Sequence, residues 1–317
     1  MTEAAPSVSV CIITYNHEQF IGQAIDSVLM QECTFPIDIV IGEDCSADST
    51  GGICREYALK HAHIKLLNNQ TNLGMVNNFL RTSMSCSGKY IAMLEGDDYW
   101  TDPHKLQKQV DFLEANSDFI LCYHDKTHQK DGAIVRESTY DFKENKYFVQ
   151  EEVFAAHILT VTVVFRNILS EHPFPAAFRK LPLYDFGAWA YLSLFGKCAY
   201  LNFNGATYRI HADSVFSSKE PLANYSKMLR LFRLLKTHFP QNYQPNFKYY
   251  ALLIYFMITE ELRLKPFSAK YLYYLSVLFI KSRQFNIDEF TGFYSSLYKT
   301  IIKKKIKSVL GRYLEVV

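Results

Sequence analysis

The sequence has no CxxC pair, no glycine-rich phosphate cradle and no apolar run approaching the ~20 residues needed to span a bilayer. Each absence removes a class. Seven cysteines (11, 33, 45, 54, 86, 122 and 198), odd in number and lying mostly in apolar runs such as Val8 to Ile13, do not make a disulfide framework; they read as buried free thiols of a reducing compartment. Neither GxGxxG after the first apolar run nor GxxxxGK followed by Ser or Thr occurs, so the usual cradles for dinucleotides and nucleoside triphosphates are missing. Any phosphate charge must be met by other means. Met1 to Ser7 has neither the basic start nor the apolar stretch of a signal peptide, and tail segments such as Tyr249 to Ile258 are too short for a transmembrane helix. A cytoplasmic protein is expected. Net charge is scarce as well: +2 over 317 residues does not suit a nucleic-acid binder, and 49% hydrophobic with 21% charged residues excludes a disordered chain.

What is present is unevenly distributed. Residues 1 to 217 carry 17 Lys plus Arg against 26 Asp plus Glu, whereas 218 to 317 carry 17 against 6, so a segment of net −9 precedes one of net +11. The first part alternates two periodicities. Val8 to Thr14, Ile37 to Ile41, Ile64 to Leu67, Tyr90 to Leu94 and Phe119 to Tyr123 read as strands. Between them helices are expected over His17 to Met30, from Asp48 or Ser49 to about Lys60, over Met75 to Ser85 and over Pro103 to Ala115. This is the pattern of an α/β doubly wound sheet, whose ligands bind at the carboxyl ends of the strands. Residues 126 to 150 are polar and read as a loop or hairpin. Leu159 to Phe165 and Ala199 to Phe203 follow as strands and Tyr184 to Phe195 as a helix. From about Pro221 helical patterning dominates, with 20 Phe and Tyr in the last hundred residues. There is no internal repeat and no low-complexity tract.

The strands of the first part end in polar residues: Thr14-Tyr15-Asn16, Glu43-Asp44, Asn68-Asn69 and Glu95-Gly96-Asp97-Asp98. Four such ends at the edge where an α/β sheet places its site exceed what solubility requires. Three carboxylates in four residues repel one another, and their natural neutraliser is a hard divalent cation bound to oxygen. An isolated acidic triplet is as readily a solvated turn capping the next helix. A buried strand before it and Tyr99-Trp100 after it favour the site.

The stretches SVCIITYNHEQFIGQAIDSVLMQ, GEDCSADST, NLGMVNNF, GKYIAMLEGDDYWTDPHKLQKQ, LYDFGAW and YRIHADSVFS, read together from about Val8 to Ser217, resemble a family 2 glycosyltransferase with the GT-A fold. The resemblance implies an α/β, Rossmann-like nucleotide-diphospho-sugar transferase domain over 1 to 217, its donor half ending near 125 and its acceptor half covering 126 to 217. A helical, basic, aromatic-rich region follows over 218 to 317. The activity implied is inverting, metal-assisted transfer of a hexosyl or N-acetylhexosaminyl group from a nucleotide sugar, expected to be UDP-linked. The acceptor implied is a saccharide or lipid-linked glycan, as in bacterial-type surface polysaccharide synthesis.

On this resemblance Thr14 and Tyr15 line the base pocket, where an aromatic face stacks on uracil, with Asn16 beside them among the donor-binding residues. Asp44 accepts a hydrogen bond from the pyrimidine N3–H; a capping role suits Asp48 better, because Asp48 lies where the helix begins. Glu95 and Asp97 take the first and third positions of the family's DxD motif, with Glu in place of the usual Asp, and Glu95 offers an acceptor for the ribose or a metal-bound water. Asp97 contacts Mg²⁺ or Mn²⁺ bridging the pyrophosphate and Asp98 supports it. His211, in YRIHADS, ligates the metal or bonds a phosphate, and Arg209 adds positive charge. Asp185 opens the acceptor-side helix, where the family often has a Glu-Asp pair and this chain has Tyr184 in place of the Glu. It takes the proton from the acceptor hydroxyl, and inversion follows. A lone Asp before an apolar helix is otherwise an N-cap. Thr160 and Thr162, on a strand bordering the acceptor, share one face and point together at the site or together into the core. Trp100 falls on the acceptor side.

Two rival classes share parts of this pattern. A nucleotidyltransferase also combines clustered carboxylates with a divalent metal, but it needs a glycine- and basic-rich triphosphate loop that Thr14 to Gln19 does not supply. A non-catalytic nucleotide-sugar-binding protein has no need of a base such as Asp185. For the tail, Lys303-Lys304-Lys305-Ile306-Lys307 with the aromatic residues suits peripheral contact with an anionic cytoplasmic membrane face. Equally, the aromatics pack the helices against the catalytic domain, or against a second subunit in a homo-oligomer, and leave the lysines solvated.

Overall fold

The computed structural model describes residues 7–138, 143–148, 158–211 and 221–238. Within them β1 (Val8–Thr14) leads to α1 (Ile21–Leu29), β2 (Ile37–Glu43), α2 (Thr50–Lys60), β3 (Ile64–Asn68), α3 (Met75–Ser83) and β4 (Tyr90–Glu95). The short β5 (Tyr99–Trp100), α4 (Lys105–Ala115), β6 (Phe119–Lys130), β7 (Ala133–Arg136) and β8 (Lys146–Phe148) follow. The last elements are β9 (Val164–Arg166), α5 (Asp185–Leu192), β10 (Lys197–Ile210) and α6 (Pro221–His238). The ten strands form one sheet in the order β3-β2-β1-β4-β9-β6-β10-β5, with β7 paired to β6 and β8 to β10.

β3, β2, β1 and β4 run parallel, each joined to the next in sequence through a helix. Their apolar residues alternate sides: Val8, Val10, Ile12, Ile39, Ile41, Ala92 and Leu94 share one buried cluster with Ile21, Ala24, Ile25 and Val28 of α1 and Leu106, Val110 and Leu113 of α4. The register sets Thr14 opposite Glu43, Glu43 opposite Asn68, and Ile13 opposite Glu95. The four polar strand ends therefore lie in one row along the carboxyl edge of the sheet.

The second part departs from the doubly wound expectation. Leu159 to Phe165 is not one strand: Thr160–Thr162 form a 3₁₀ turn, closed by the Thr162 hydroxyl donating to Leu159 O at 2.7 Å, and only then does β9 begin. β9 runs antiparallel to both β4 and β6 and so makes the sheet mixed. β6 extends to Lys130 and turns at Asp131 and Gly132, both with positive φ (50° and 82°), into β7. That is the hairpin expected in the polar stretch after Asp125. β10 is far longer than Ala199 to Phe203, because bulges near Leu201 and Asn204 carry it on to Ile210 while breaking the alternation.

All seven cysteines are free; five are buried, Cys33 is half-buried and Cys45 is exposed. The chain divides into two compact units, Met1–Ser218 and Lys219–Val317. In the second, α6 is described, while the expected helices beyond it and the Lys303 to Lys307 run lie outside the described residues. No helix among the described residues is long and apolar enough to cross a membrane.

Candidate active site

On the β1–β3 side the site begins where the chain leaves the sheet. Asn16 and Cys45, just past β1 and β2, have left-handed backbones (φ 55° and 61°), and the two loops clasp each other there. Asn16 N donates to Ser46 Oγ at 3.0 Å, Ala47 N to Asn16 Oδ1 at 2.9 Å, and Glu18 N to Asp48 Oδ2 at 3.1 Å. Asp48 also accepts from Thr50 N at the start of α2 (3.0 Å), but it lies one residue before the N-cap, which is Ser49 and makes no side-chain cap bond. Tyr15 stands 42% exposed, whereas Thr14 is buried. Asp44 is only 2% exposed, and its carboxylate accepts from Asn69 Nδ2 (2.6 Å), Leu73 N (2.8 Å) and Gly74 N (2.9 Å). It orders the loop before α3 and retains acceptor capacity on Oδ2.

The acidic turn after β4 brings carboxylate oxygens of Glu95, Asp97 and Asp98 within 4.8 Å of one another. Their environments differ. Glu95 Oε1 accepts from the Tyr184 phenol at 2.8 Å; burial, with the Asp97 charge next, pushes its carboxyl up to about 8 despite that bond. Asp97 Oδ2 lies 3.1 Å from His211 Nε2 and 3.8 Å from His17 Nε2. Burial works to raise Asp97, but the His211 hydrogen bond and the charges of both histidines overcome it and hold the carboxyl below the usual range. Asp98 is 1% exposed and accepts from Arg209 N at 2.8 Å; its Oδ2 is buried with no hydrogen-bond partner, and burial followed by the neighbouring carboxylates raises its pKa well above normal. Three carboxylates so placed do not ionise together unless a cation joins them.

Arg209 does not face open space. Its guanidinium lies over Tyr99 (4.3 Å) and Phe20 (5.1 Å), donates to Asp97 O at 2.6 Å and also bonds Gln23 Oε1. At 8% exposure it fixes the acidic turn to β10 rather than adding free charge beside a ligand.

On the other side, Asp185 is the first residue of α5 and its Oδ1 is buried without a hydrogen-bond partner. Burial raises its pKa, although amides at the start of the helix pull the other way. Tyr184, just before it, is buried and stacked on Phe79 (4.3 Å, 21°), with its hydroxyl 3.4 Å from Thr160 Oγ1. Thr160 thus reaches this network. Thr162 does not: its hydroxyl is consumed in its own turn. The shared strand face expected of the two is lost with the strand. Trp100 is likewise a correction, since at 1% exposure it gives its indole N–H to Val161 O (2.9 Å) and its backbone N–H to Ser27 Oγ (3.0 Å). A side chain so enclosed has no face for an acceptor.

The structure adds His17, Tyr184, Gln23 and Tyr99 to the residues found from sequence. Three of them carried a signal: His17 lies three residues past the β1 end, Tyr99 follows the acidic turn directly, and Tyr184 stands where the family often has Glu; Gln23 carried none.

The profile of Glycosyl transferase family 2 matches residues 9–185, so Asp185 is inside the match and Arg209 and His211 lie beyond it. An uncharacterized protein of Mycobacterium tuberculosis is 33% identical over 213 residues, 67% of this chain and 61% of that relative; the chain thus matches about three-fifths of its length. An uncharacterized glycosyltransferase of Haemophilus influenzae is 29% identical over 68% of this chain and 69% of its own. Among solved structures, S. aureus TarS in complex with UDP-GlcNAc superposes with a TM-score of 0.64 at 19% identity, over 87% of this chain and 82% of that one. The mannosyltransferase PcManGT from Pyrobaculum calidifontis, in complex with GDP-Man and Mn²⁺, gives 0.59 at 13% identity over 96% and 84%.

Proposed function

The chain belongs to glycosyl transferase family 2 and has the GT-A fold, and from that premise we propose that it moves a hexosyl or N-acetylhexosaminyl group from a nucleotide-sugar donor to a hydroxyl of a saccharide or lipid-linked glycan, inverting the anomeric carbon. UDP is the first nucleotide to test, since TarS binds UDP-GlcNAc and an exposed Tyr15 ring at the end of β1 offers a stacking face for a base. The observation that supports the reading most directly is the join between the two halves of the site. Tyr184, next to the base candidate Asp185, donates its phenol to Glu95 of the acidic turn at 2.8 Å.

A divalent cation, Mg²⁺ or Mn²⁺, fits the residues present. Asp98 Oδ2 is a buried orphan, the three carboxylates crowd within 4.8 Å, and Asp97 Oδ2 and His211 Nε2 lie 3.1 Å apart. Adjacent ligands of an octahedral ion bound at about 2.1 Å are about 3.0 Å apart. Asp97 and His211 would hold the ion, with Asp98 in support. When bound, it would neutralise charge on the departing nucleoside diphosphate. The remaining steps belong to the side chains. Asp44 keeps the loop at 69 to 74 in place under the base, Arg209 holds the Asp97 main chain, and Glu95 presents a carboxyl to the ribose. Asp185 accepts the proton of the acceptor hydroxyl as that oxygen attacks opposite the leaving group. A raised pKa makes it a stronger base than an exposed aspartate.

A thermal-shift screen of UDP, dTDP and GDP sugars with Mn²⁺ tests the reading, because a ligand that binds only the folded state raises its melting temperature by mass action. A shift with UDP sugars that EDTA abolishes is expected. No shift with any nucleotide sugar contradicts the proposal.

A further inference from the structure

Two imidazoles converge on one carboxylate oxygen. His211, just after β10, places Nε2 3.1 Å from Asp97 Oδ2, and His17, from the loop after β1, places its Nε2 3.8 Å from the same atom. The two rings meet edge to face, with centroids 6.3 Å apart and planes at 89°. His17 is oriented from behind: its Nδ1 lies 3.3 Å from Thr14 Oγ1, and its backbone N–H donates to Thr50 Oγ1 at 2.8 Å. With the ring proton on Nδ1 and shared with Thr14, the lone pair is left on Nε2, the atom nearest Asp97, which is the tautomer a metal ligand requires. The approach depends on Gly96. A Cβ there would lie 2.5 Å from Thr14 Oγ1 and 3.0 Å from His17 Nδ1, so any larger residue would push the imidazole away from the acidic turn.

We infer that His17 is a further protein ligand of the divalent cation proposed at Asp97, so that the site holds two imidazole nitrogens and favours a transition-series ion such as Mn²⁺ over Mg²⁺. The inference rests on the metal-assisted reading above. Carboxylates alone would make an oxygen site of the kind that suits Mg²⁺, which keeps oxygen ligands and gives up water reluctantly. Imidazole changes the preference, and affinity at nitrogen donors rises from Mn²⁺ through Co²⁺. At 3.8 Å, His17 Nε2 has less than about 1 Å to close to reach the spacing of adjacent octahedral ligands. With its backbone still held by Thr50, the imidazole makes up that distance by turning about its side-chain torsions.

Electron spin-echo envelope modulation of Mn²⁺ bound to the full chain counts the coordinated imidazole nitrogens. The wild type should show two, and His17→Gln and His211→Gln one each. His17→Gln should also weaken Mn²⁺ binding by about tenfold or more, with a much smaller effect on Mg²⁺. A wild type with one coordinated nitrogen, retained in His17→Gln, overturns the role of His17 while the metal reading stands. A wild type that binds no Mn²⁺ overturns both. The wild-type spectrum decides the question even if a variant folds poorly.

Discussion

Asp185 joins a carboxylate oxygen buried without a hydrogen-bond partner to a pKa raised by that burial. If it is the base, Asp185→Asn should lower transfer by about 10²-fold or more and leave donor affinity nearly unchanged. Equal losses in both, measured by transfer kinetics and donor titration, would make it a helix cap instead. The base must be ionised to act, so the acid limb of the wild-type rate profile should lie above the ordinary aspartate range. Stability carries the opposite sign. A carboxyl whose folded pKa is raised favours the fold below its unfolded pKa, and that contribution is lost as pH rises through the folded value. At neutral pH, therefore, Asp185→Asn should melt no lower than the wild type. Asp44→Ala removes the acceptor of Asn69, Leu73 and Gly74 and should cost about 1–3 kcal/mol. It should also weaken UDP binding far more than it slows turnover at saturating donor; the reverse pattern in a KM and kcat comparison removes Asp44 from the base pocket. The acidic turn was legible in the sequence because its three carboxylates fall within four residues. The Tyr184–Glu95 bond was not, since it joins residues 89 positions apart, and no local pattern placed Trp100 inside the core.

At the scale of elements, β1 to β4 were legible because short β-branched runs alternate with amphipathic helices, and their polar ends fall in one row by register alone. The strands expected over Leu159 to Phe165 and Ala199 to Phe203 had the wrong bounds: at β9 a 3₁₀ turn leaves only three residues to pair, and at β10 bulges and buried polar residues hide the period of two. β10 matters most of these to the site: its end brings Arg209 against the acidic turn and delivers His211 to Asp97. α5 packs through buried Ala188, Trp189 and Leu192, and the Tyr184 phenol just before it joins the start of the helix to the acidic turn. Tyr184→Phe keeps the stack on Phe79 while leaving Glu95 without its donor, and should lower stability by about 1 kcal/mol. If the bond also sets the Glu95 carboxyl beside the ribose, donor affinity should fall in the same variant. A variant that matches the wild type in both melting and donor titration contradicts that role.

For the whole molecule, the missing glycine motifs spoke against the dinucleotide and nucleoside-triphosphate cradles, and the net charge changes sign near residue 218. The mixed sheet could not be read from composition or periodicity, because strand direction depends on which distant segments pair. The basic tail carries its own prediction. Lys and Arg draw anionic headgroups at roughly 1 kcal/mol each near a bilayer. The full chain should therefore cosediment with anionic vesicles at low salt and release at high salt, and removal of 303 to 317 should abolish binding. No binding at low salt would mean that the lysines are simply solvated.

The central claim is that the Glu95 to Asp98 turn and His211 bind a nucleotide sugar through a divalent cation, and calorimetric titration of UDP into the wild type and Asp97→Asn, with Mn²⁺ and with EDTA, tests it most directly. The account predicts wild-type binding at least about tenfold tighter with Mn²⁺ than with EDTA, and no such gain in a folded Asp97→Asn, because one charged ligand is lost without a change of size. UDP binding that ignores Mn²⁺, or an Asp97→Asn variant that keeps the full metal-dependent gain, would contradict it.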